Sequence, residues 1–255
     1  MSLLEVKDLG IMFGGLKAVD GVTLDVKENE IVGLIGPNGA GKTTVFNLLT
    51  KVYNPTQGSM RLENIDITRL STHSASISGL SRTFQNIRLF KSMSVIENIK
   101  VACHNQMKYT SFEAVFRLPR FWREEKEADK LAHELLRVFD MDHLAFENAA
   151  SLPYGQQRKV EICRALASNP RILLLDEPAA GMNPSETQDL METIYKIRDN
   201  MKLAILLIEH DMKFVMGICE RIFVLNQGRI IAAGTPAEIQ NNKEVIKAYL
   251  GSEDI

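Results

Sequence analysis

Three unbroken apolar runs lie along the chain, at 31–35, 172–175 and 203–208. A strand buried on both faces of a parallel sheet has this continuous pattern, whereas a half-exposed strand alternates between apolar and polar residues. Near the N-terminus the pattern does alternate, at Leu4 and Val6 and again across 22–26. We therefore predict an antiparallel sheet first, followed by a mostly parallel core whose strands alternate with helices.

The middle of the chain has a different periodicity. From residue 98 to about 150 the strand patterns disappear, and apolar residues such as Leu131 and Leu135 recur at helical spacing among charges. This pattern predicts a helical insert in the parallel core. We expect one domain over residues 1–255, with a helical subdomain at approximately 91–150.

The last part of the chain carries two local signals. Asn226-Gln227-Gly228 separates two short apolar stretches and predicts a hairpin turn. Thr235-Pro236-Ala237-Glu238 has the pattern of a capping box with proline at the first helical position. We expect one amphipathic C-terminal helix to follow, with apolar positions between 239 and 249.

Composition excludes several classes of protein. The chain has 255 residues, of which 45% are hydrophobic and 24% charged, as in an ordinary globular protein with a large core. Its net charge of −2 gives no general attraction to nucleic acid, so direct DNA or RNA binding is not expected. The three cysteines form no metal-ligand pattern with the five histidines. We expect a chain that neither spans a membrane nor is exported, because no apolar run is long enough and no signal-peptide pattern is present.

The segment after the first apolar run predicts a nucleotide site. It reads Gly36, Pro37, Asn38, Gly39, Ala40, Gly41, Lys42, Thr43, Thr44, which fits the phosphate-loop pattern G-x-x-x-x-G-K-[ST]. Glycines let the backbone N–H groups and the following helix face an anion. We expect Lys42 to reach the β- and γ-phosphates of ATP, and to be exposed when the site is empty, while Thr43 offers its hydroxyl to Mg²⁺.

Two adjacent carboxylates follow the second apolar run. Asp176 and Glu177 come at the end of a predicted buried strand, and ligands bind at the carboxyl ends of strands in open α/β sheets. Beside a phosphate loop, Asp176 is expected to coordinate Mg²⁺. Glu177 is expected to accept the proton of the water that attacks the γ-phosphate.

A further block stands shortly before that acidic strand, and it reads Leu152, Pro153, Tyr154, Gly155, Gln156. With the phosphate loop and the acidic pair in this order, it resembles the ATP-binding subunit of ATP-binding cassette transporters, whose signature L-S-G-G-Q occupies this place. The resemblance covers essentially the whole chain. It implies the α/β fold of a P-loop NTPase, with a RecA-like parallel core, an N-terminal antiparallel β subdomain and a helical subdomain.

The resemblance also assigns further residues. Phe13 matches the aromatic residue that stacks on adenine, and Asn183 lies in the D-loop that crosses the dimer interface. Gln85 matches the glutamine that senses nucleotide at the Mg²⁺ site and touches the membrane subunit. His210 matches the switch histidine beside the γ-phosphate. The implied catalytic set is Lys42, Gln85, Glu177 and His210.

The signature departs from the family pattern. Pro153 and Tyr154 replace the serine and the first glycine, and Asn183 replaces the usual D-loop aspartate. Proline offers no hydroxyl to the nucleotide of the opposite subunit, although it can start a helix whose N–H groups point at the anion. We expect binding through this signature to survive in weakened form.

Finer features resemble the ATPase subunits of branched-chain amino acid importers. They are the stretch 82–90, the long insert after residue 98, the L-x-Y-G-x-Q-R variant of the signature and the closing segment 234–239. That resemblance implies ATP and Mg²⁺ as cofactors. It also implies a second ATPase subunit, in a heterodimer rather than a homodimer, under integral-membrane permeases at the cytoplasmic face of the inner membrane.

Two alternatives stay open at this point. The ATPase that drives lipopolysaccharide extraction has a similar C-terminal pattern and ranks second. An ATPase of the same family with a partner outside transport is the other alternative.

Overall fold

The computed structural model describes residues 2–250, which form two sheets flanked by helices. The strands are β1 (Ser2–Phe13), β2 (Leu16–Lys27), β3 (Ile31–Ile35), β4 (Gln57–Leu62), β5 (Ile65–Asp66), β6 (Leu80–Arg82), β7 (Ile172–Asp176), β8 (Ala204–Ile208), β9 (Arg221–Asn226) and β10 (Arg229–Gly234). The helices are α1 (Lys42–Leu49), α2 (Thr72–Ile77), α3 (Val95–Cys103), α4 (Ser111–Val115), α5 (Pro119–Val138), α6 (Tyr154–Leu166), α7 (Pro184–Met201), α8 (Met212–Ile218), α9 (Pro236–Gln240) and α10 (Lys243–Leu250). Short 3₁₀ turns lie at Asp142–Leu144 and Ala149–Ser151.

The N-terminal sheet is antiparallel, with strand order β2-β1-β4-β5. Its alternating pattern places Val22, Leu24 and Val26 in the core while the residues between them face outward. The predicted antiparallel sheet is confirmed. Its inner face packs on the central sheet in one hydrophobic cluster that includes α1.

The central sheet has the order β10-β9-β3-β8-β7-β6, and only β10 runs antiparallel to its neighbour. Every residue of β3, β7 and β8 is buried, as their continuous apolar runs predicted. The carboxyl ends of parallel strands meet at one edge. The segments after these three strands, which carry the phosphate loop, Glu177 and His210, therefore lie at the same edge, and the predicted α/β fold is confirmed.

Helices occupy the chain between β6 and β7. The long helix α5 turns one apolar stripe inward, with Ala128, Ala132 and Leu135 buried, and packs on α3 and α6. Its opposite face is charged, as helical spacing of the apolar residues requires. Among residues 2–250, no helix combines the length and apolar character that a membrane crossing needs.

The C-terminal segment differs from the predicted single helix. The hairpin turn at 226–228 and the capping box at Thr235 are present, but the helix α9 ends at Gln240. Asn242 then begins a second helix, because its side-chain Oδ1 accepts from the backbone N–H groups of Glu244 and Val245. Because the apolar residues keep their helical spacing across this break, the sequence pattern did not reveal that two helices are present.

Candidate functional site

The phosphate loop connects β3 to α1. Gly41 caps the helix with a φ of 104°, and a Cβ at this position would lie 2.7 Å from the carbonyl oxygen of Ala18. Only glycine fits there. Within the described chain, α1 has no side-chain N-cap and no acidic residue in its first turn. Its first N–H groups are therefore available to an anion.

Lys42 is buried, so the expectation that it is exposed was wrong. Its side chain is 6% exposed, and Nζ donates to the carbonyl oxygens of Gly36 (2.7 Å) and Pro37 (3.0 Å). Burial lowers the pKa of Lys42, and the negative charge of Glu177 acts in the opposite direction. The carbonyl oxygens of Gly36 and Pro37 therefore satisfy this buried ammonium. Thr43, by contrast, is exposed.

The first carboxylate of the acidic pair is held by an arginine. Asp176 is 3% exposed, and its Oδ2 accepts from Nη2 of Arg82 at 2.7 Å. Arg82 also donates to Oδ1 of Asn47 at 2.7 Å and to Oγ1 of Thr50 at 3.2 Å. This buried pair joins the end of β6 to the end of β7. No motif or apolar pattern in the sequence predicted this role for Arg82.

The second carboxylate lies between two residues of the predicted catalytic set. Glu177 Oε2 accepts from Nε2 of Gln85 at 2.8 Å, and Glu177 Oε1 lies 2.8 Å from Nε2 of His210. Glu177 has a φ of 49°, in the left-handed region that non-glycine residues rarely occupy. Such backbone geometry is common at functional sites. The structure thus brings Gln85, Glu177 and His210 together.

Glu209 is a buried acid that sequence reasoning missed. It is 4% exposed, its Oε1 accepts from the N–H of Ala179 at 2.7 Å, and its Oε2 accepts from the N–H of His210 at 3.1 Å. Burial raises the pKa of Glu209, while these backbone donors act against that rise. Glu209 therefore connects the backbone of Ala179, in the segment after Glu177, to the backbone of His210, the predicted switch histidine. Its position directly after a buried strand was the available signal.

Phe13 lies at the tip of the first hairpin and is 44% exposed. Its ring meets the ring of Tyr53 edge-on, with centroids 5.2 Å apart. Tyr53 follows α1, and its N–H donates to the carbonyl of Asn47 in that helix. An exposed aromatic pair beside the phosphate-loop helix can stack on a planar base. Tyr53 was not found from the sequence.

The signature block begins α6, with Pro153 as N-cap and Tyr154 as the first helical residue. Pro153 provides no side-chain cap, so the first N–H groups of α6 have no such partner within the described chain. The Tyr154 ring covers Gly181, where an added Cβ would lie 3.2 Å from Cε1 of the ring. The Tyr154 hydroxyl accepts from Nη2 of Arg158 at 3.2 Å.

The other signature and D-loop residues meet at Glu186. A Cβ at the buried Gly155 would lie 2.9 Å from Glu186 Oε1. Asn183 is the N-cap of α7 and forms a capping box with the same glutamate. Asparagine caps a helix as well as aspartate does, so its replacement keeps this local role.

Within one copy of the chain the predicted residues fall into two groups. No hydrogen bond or ion pair within residues 2–250 joins the signature block to the phosphate loop. The signature block Leu152, Pro153, Tyr154, Gly155 and Gln156 contacts the D-loop and, through Arg158, the backbone of Gln85. The phosphate loop lies with the acidic pair, at the edge formed by the ends of β3 and β7.

The residues expected at a magnesium ion fit that ion by donor type. Thr43, Gln85 and Asp176 offer a hydroxyl, an amide oxygen and a carboxylate, which are hard oxygen donors. Mg²⁺ in phosphate sites uses one or two carboxylates, waters and the substrate's phosphates instead of a full protein cage. Among the described residues, no group of three or more His, Cys, Asp or Glu side chains is arranged to hold a metal ion.

Comparisons with known proteins agree with this geometry. The family model of ABC transporters matches residues 19–180, and that of branched-chain amino acid ATP-binding cassette transporters matches residues 229–255. The chain is 50% identical, over 98% of both chains, to BraF of Pseudomonas aeruginosa, a high-affinity branched-chain amino acid transport ATP-binding protein. It is 51% identical, over 98% of both chains, to LivG of Salmonella typhimurium, which has the same description.

A more distant relative belongs to another transport system. The lipopolysaccharide export ATP-binding protein LptB of Haemophilus influenzae is 35% identical over 99% of both chains.

Solved structures have the same fold. A nucleotide-free ATP-binding cassette from an ABC transporter superposes with a TM-score of 0.85 at 31% identity, over 99% of this chain and 100% of that one. A dimeric bacterial cassette, MJ0796, gives a TM-score of 0.76 at 25% identity, over 91% of this chain and 98% of that one. The phosphate loop, the acidic pair and the full-length likeness together show that the chain belongs to the ABC transporter family, as an ATP-binding cassette ATPase.

Proposed function

We propose that this chain is the ATPase subunit that energises uptake of branched-chain amino acids across the inner membrane. The observation that carries this proposal is the 50% identity to BraF over 98% of both chains. The match of the branched-chain amino acid transporter model at residues 229–255 supports it independently, because that segment lies outside the general cassette match at 19–180.

The phosphate loop and Phe13 bind ATP in this proposal. Residues 36–44 surround the phosphates with backbone N–H groups at the start of α1, and Phe13 stacks on adenine. Lys42 exchanges the carbonyls of Gly36 and Pro37 for the β- and γ-phosphates. Its ammonium is buried and already desolvated, so the exchange costs little additional desolvation.

Hydrolysis uses the residues around Glu177. The carboxylate takes a proton from the attacking water, and a positioned base of this kind accelerates such a step about 10²–10⁴-fold. His210 and Gln85 hold the two carboxylate oxygens in place. When bound by Thr43, Gln85 and Asp176, Mg²⁺ supplies charge neutralisation at the β- and γ-phosphates.

The complete site needs a second ATPase subunit. Among residues 2–250, no hydrogen bond or ion pair joins the signature block to this chain's own phosphate loop. The block covers the nucleotide of the partner instead, in a heterodimer of related cassettes. The N–H groups at the start of α6 face that nucleotide, and Asn183 lies at the interface. Closure moves the helical subdomain, at about residues 91–150 of the single domain 1–255, and the differential affinity of ATP for the closed dimer drives it.

Permeases connect this motion to the membrane. A cavity of about 360 Å³ lies between α3, α6 and the segment after β6, and it is lined by Phe90, Val101, Asn105 and Arg164 among others. It adjoins the loop that carries Gln85. A permease loop seated here places the chain at the cytoplasmic face of the inner membrane, held through its partners.

Uptake in cells tests the substrate. A strain without this chain is supplied with the wild-type or the Glu177→Gln chain, and uptake of labelled leucine, isoleucine and valine is measured. We expect only the wild type to restore uptake. Lipopolysaccharide at the cell surface is the second readout, because the 35% identity to LptB makes lipopolysaccharide extraction the alternative. A defect there with normal amino acid uptake would favour that alternative, and a defect in neither would point to a partner outside transport.

A further inference from the structure

Three charged side chains of α6 hold the loop that carries Gln85. Arg158, Glu161 and Arg164 are spaced three residues apart and lie on one face of the helix. Each of them hydrogen-bonds backbone atoms of residues 84–88. Arg158 donates from Nη1 to the Phe84 carbonyl at 2.5 Å and from Nη2 to the Gln85 carbonyl at 2.6 Å.

The other two side chains extend this attachment to Arg88. Glu161 Oε1 accepts from the N–H of Arg88 at 3.3 Å, and Arg164 donates to the Arg88 carbonyl at 2.5 Å. Segment 84–88 is therefore fixed to α6 through its main chain at four points. This attachment does not use the Gln85 side chain, which reaches Glu177.

Stability alone does not explain why an arginine is buried at position 158. It is 0% exposed, pairs with Glu161 Oε2 at 2.8 Å, and its Nε has no hydrogen-bond partner among the residues described. A buried ion pair often stabilises a protein no better than well-packed apolar residues of the same volume. The two carbonyls that Arg158 binds indicate a role in positioning.

Gln85 connects this attachment to the chemistry. Its carbonyl accepts from Arg158, and its side-chain Nε2 donates to Glu177 Oε2 at 2.8 Å. We propose that Arg158 is a positioning residue for ATP hydrolysis, which holds the Gln85 main chain so that the Gln85 side chain reaches Glu177. This inference rests on the proposed role of Glu177 as the base.

The same guanidinium also reaches the signature. Nη2 of Arg158 lies 3.2 Å from the hydroxyl of Tyr154, whose ring is 45% exposed at the start of α6. The Arg158 side chain therefore links Tyr154 directly to the Gln85 main chain, so that a displacement of Tyr154 is transmitted to Gln85. Arg158 in this way connects the surface proposed to meet the partner's nucleotide with this chain's own Glu177.

The test compares Arg158→Lys, Gln85→Ala and the double variant in the transporter purified with its partner subunits. Lysine keeps a positive charge beside Glu161 but lacks the planar fork of two nitrogens from which Arg158 donates to Phe84, Gln85 and Glu161 at once, so at least one of these hydrogen bonds is lost. We expect kcat to fall about tenfold with KM for ATP within about twofold, the size expected for one lost charge-assisted hydrogen bond. The exposed Arg123→Lys on α5 is the matched control and leaves both parameters unchanged.

The double variant separates positioning from general structural damage. If Arg158 acts through Gln85, its replacement has little further effect once the Gln85 side chain is gone. The proposal would be overturned if Arg158→Lys lowered kcat by the same factor in the wild-type and the Gln85→Ala chains. A normal kcat for Arg158→Lys would also overturn it. If Gln85→Ala hydrolyses ATP normally, the proposed catalytic site fails as well; if only Arg158→Lys is normal, this inference fails alone.

A second variant keeps the test decisive if Arg158→Lys does not fold. Tyr154→Phe keeps the ring over Gly181 and removes only the hydroxyl that Arg158 binds. We expect a smaller loss of kcat, which disappears in the Gln85→Ala background. A loss of the same size in both backgrounds would contradict the connection from Tyr154 through Arg158 to Gln85.

Discussion

Glu177 Oε1 lies 2.8 Å from Nε2 of His210, although the two residues are 33 positions apart in the chain. Each residue follows one of two neighbouring parallel strands, β7 and β8, so the sheet brings their side chains to one edge. The histidine therefore orients the carboxylate that we propose as the base. Its ring is half-exposed, which leaves the site open to nucleotide.

Replacement of Lys42 tests the phosphate site. In Lys42→Ala, we expect the Kd for ATP to rise at least about tenfold, because a hydrogen bond to a charged group contributes roughly 1.5–3 kcal/mol. The fold should persist, since the chain also loses the cost of burying an ammonium. Equilibrium ATP binding and thermal melting measure the two effects, with the exposed Lys126→Ala as control. Unchanged affinity with a collapsed melting temperature would mean that Lys42 serves only the fold.

Replacement of Arg82 tests the buried pair with Asp176. Arg82→Ala leaves an uncompensated buried carboxylate, and breaking such a pair costs about 3–5 kcal/mol. Arg171→Ala removes an exposed partner of Glu63 and should cost under about 1 kcal/mol. Chemical denaturation measures both unfolding free energies. Equal losses for the two variants would show that the Asp176 pair has no special structural role.

The pH dependence of stability tests Glu209. Burial raises its pKa above the ordinary value of 4.5, so the folded chain holds this proton more tightly than the unfolded chain does. The stability that this group contributes is fully present below about pH 4.5. It is lost as the pH rises through the pKa that Glu209 has in the folded chain. Glu209→Gln has no such proton. We therefore expect the unfolding free energy of the variant, relative to wild type, to increase between about pH 5 and about pH 8.

Denaturation at both pH values measures this difference. Glutamine keeps one oxygen acceptor for the two backbone N–H groups of Ala179 and His210, so the loss of one of these hydrogen bonds adds an offset that does not depend on pH. The exposed Glu192→Gln on α7 should give a difference that stays flat. A flat difference for Glu209→Gln as well would contradict the raised pKa.

Replacements in the signature test its contact with nucleotide. Pro153→Ser should change the ATPase of the assembled transporter by under about tenfold, because the first N–H groups of α6 have no side-chain cap in the described chain and are available to an anion without the serine. Gly155→Asp should abolish it, since a carboxylate then faces the phosphate and Glu186. Gly155→Ala is the matched control for the added Cβ. If alanine is as damaging as aspartate, crowding at Glu186 explains the loss; an active aspartate variant would mean that this signature covers no nucleotide.

Much of the fold and part of the site could be predicted from the sequence. Continuous apolar runs identified β3, β7 and β8, and the acidic pair lies at the carboxyl end of a buried strand as its position after the second run predicted. Gln85 and His210, which the resemblance placed in one catalytic set with Glu177, both contact its carboxylate, and their catalytic roles stay predictions. Local patterns are enough to predict this placement, because the carboxyl ends of neighbouring parallel strands lie at the same edge of a sheet.

The side-chain partners could not be predicted in the same way. Arg82 and Asp176 are 94 residues apart, and Arg158 reaches backbone 73 and 74 positions away. Apolar periodicity carries no information about which polar group a buried arginine meets. The expectation that Lys42 is exposed was wrong for a related reason, because the phosphate-loop pattern identifies the lysine but not the carbonyl oxygens that accept its hydrogen bonds.

Leucine uptake into proteoliposomes tests the central claim most directly. The vesicles contain this chain with its partner ATPase and permeases, and uptake and ATP hydrolysis are measured together for wild type and Glu177→Gln. We predict ATP-dependent leucine uptake by the wild type. The variant should bind ATP normally, stay longer as an ATP-bound dimer, and lose at least about a hundredfold in both turnover and uptake, as expected for removal of a general base. Near-normal hydrolysis by Glu177→Gln, or wild-type hydrolysis with no uptake of leucine, isoleucine or valine, would contradict the account.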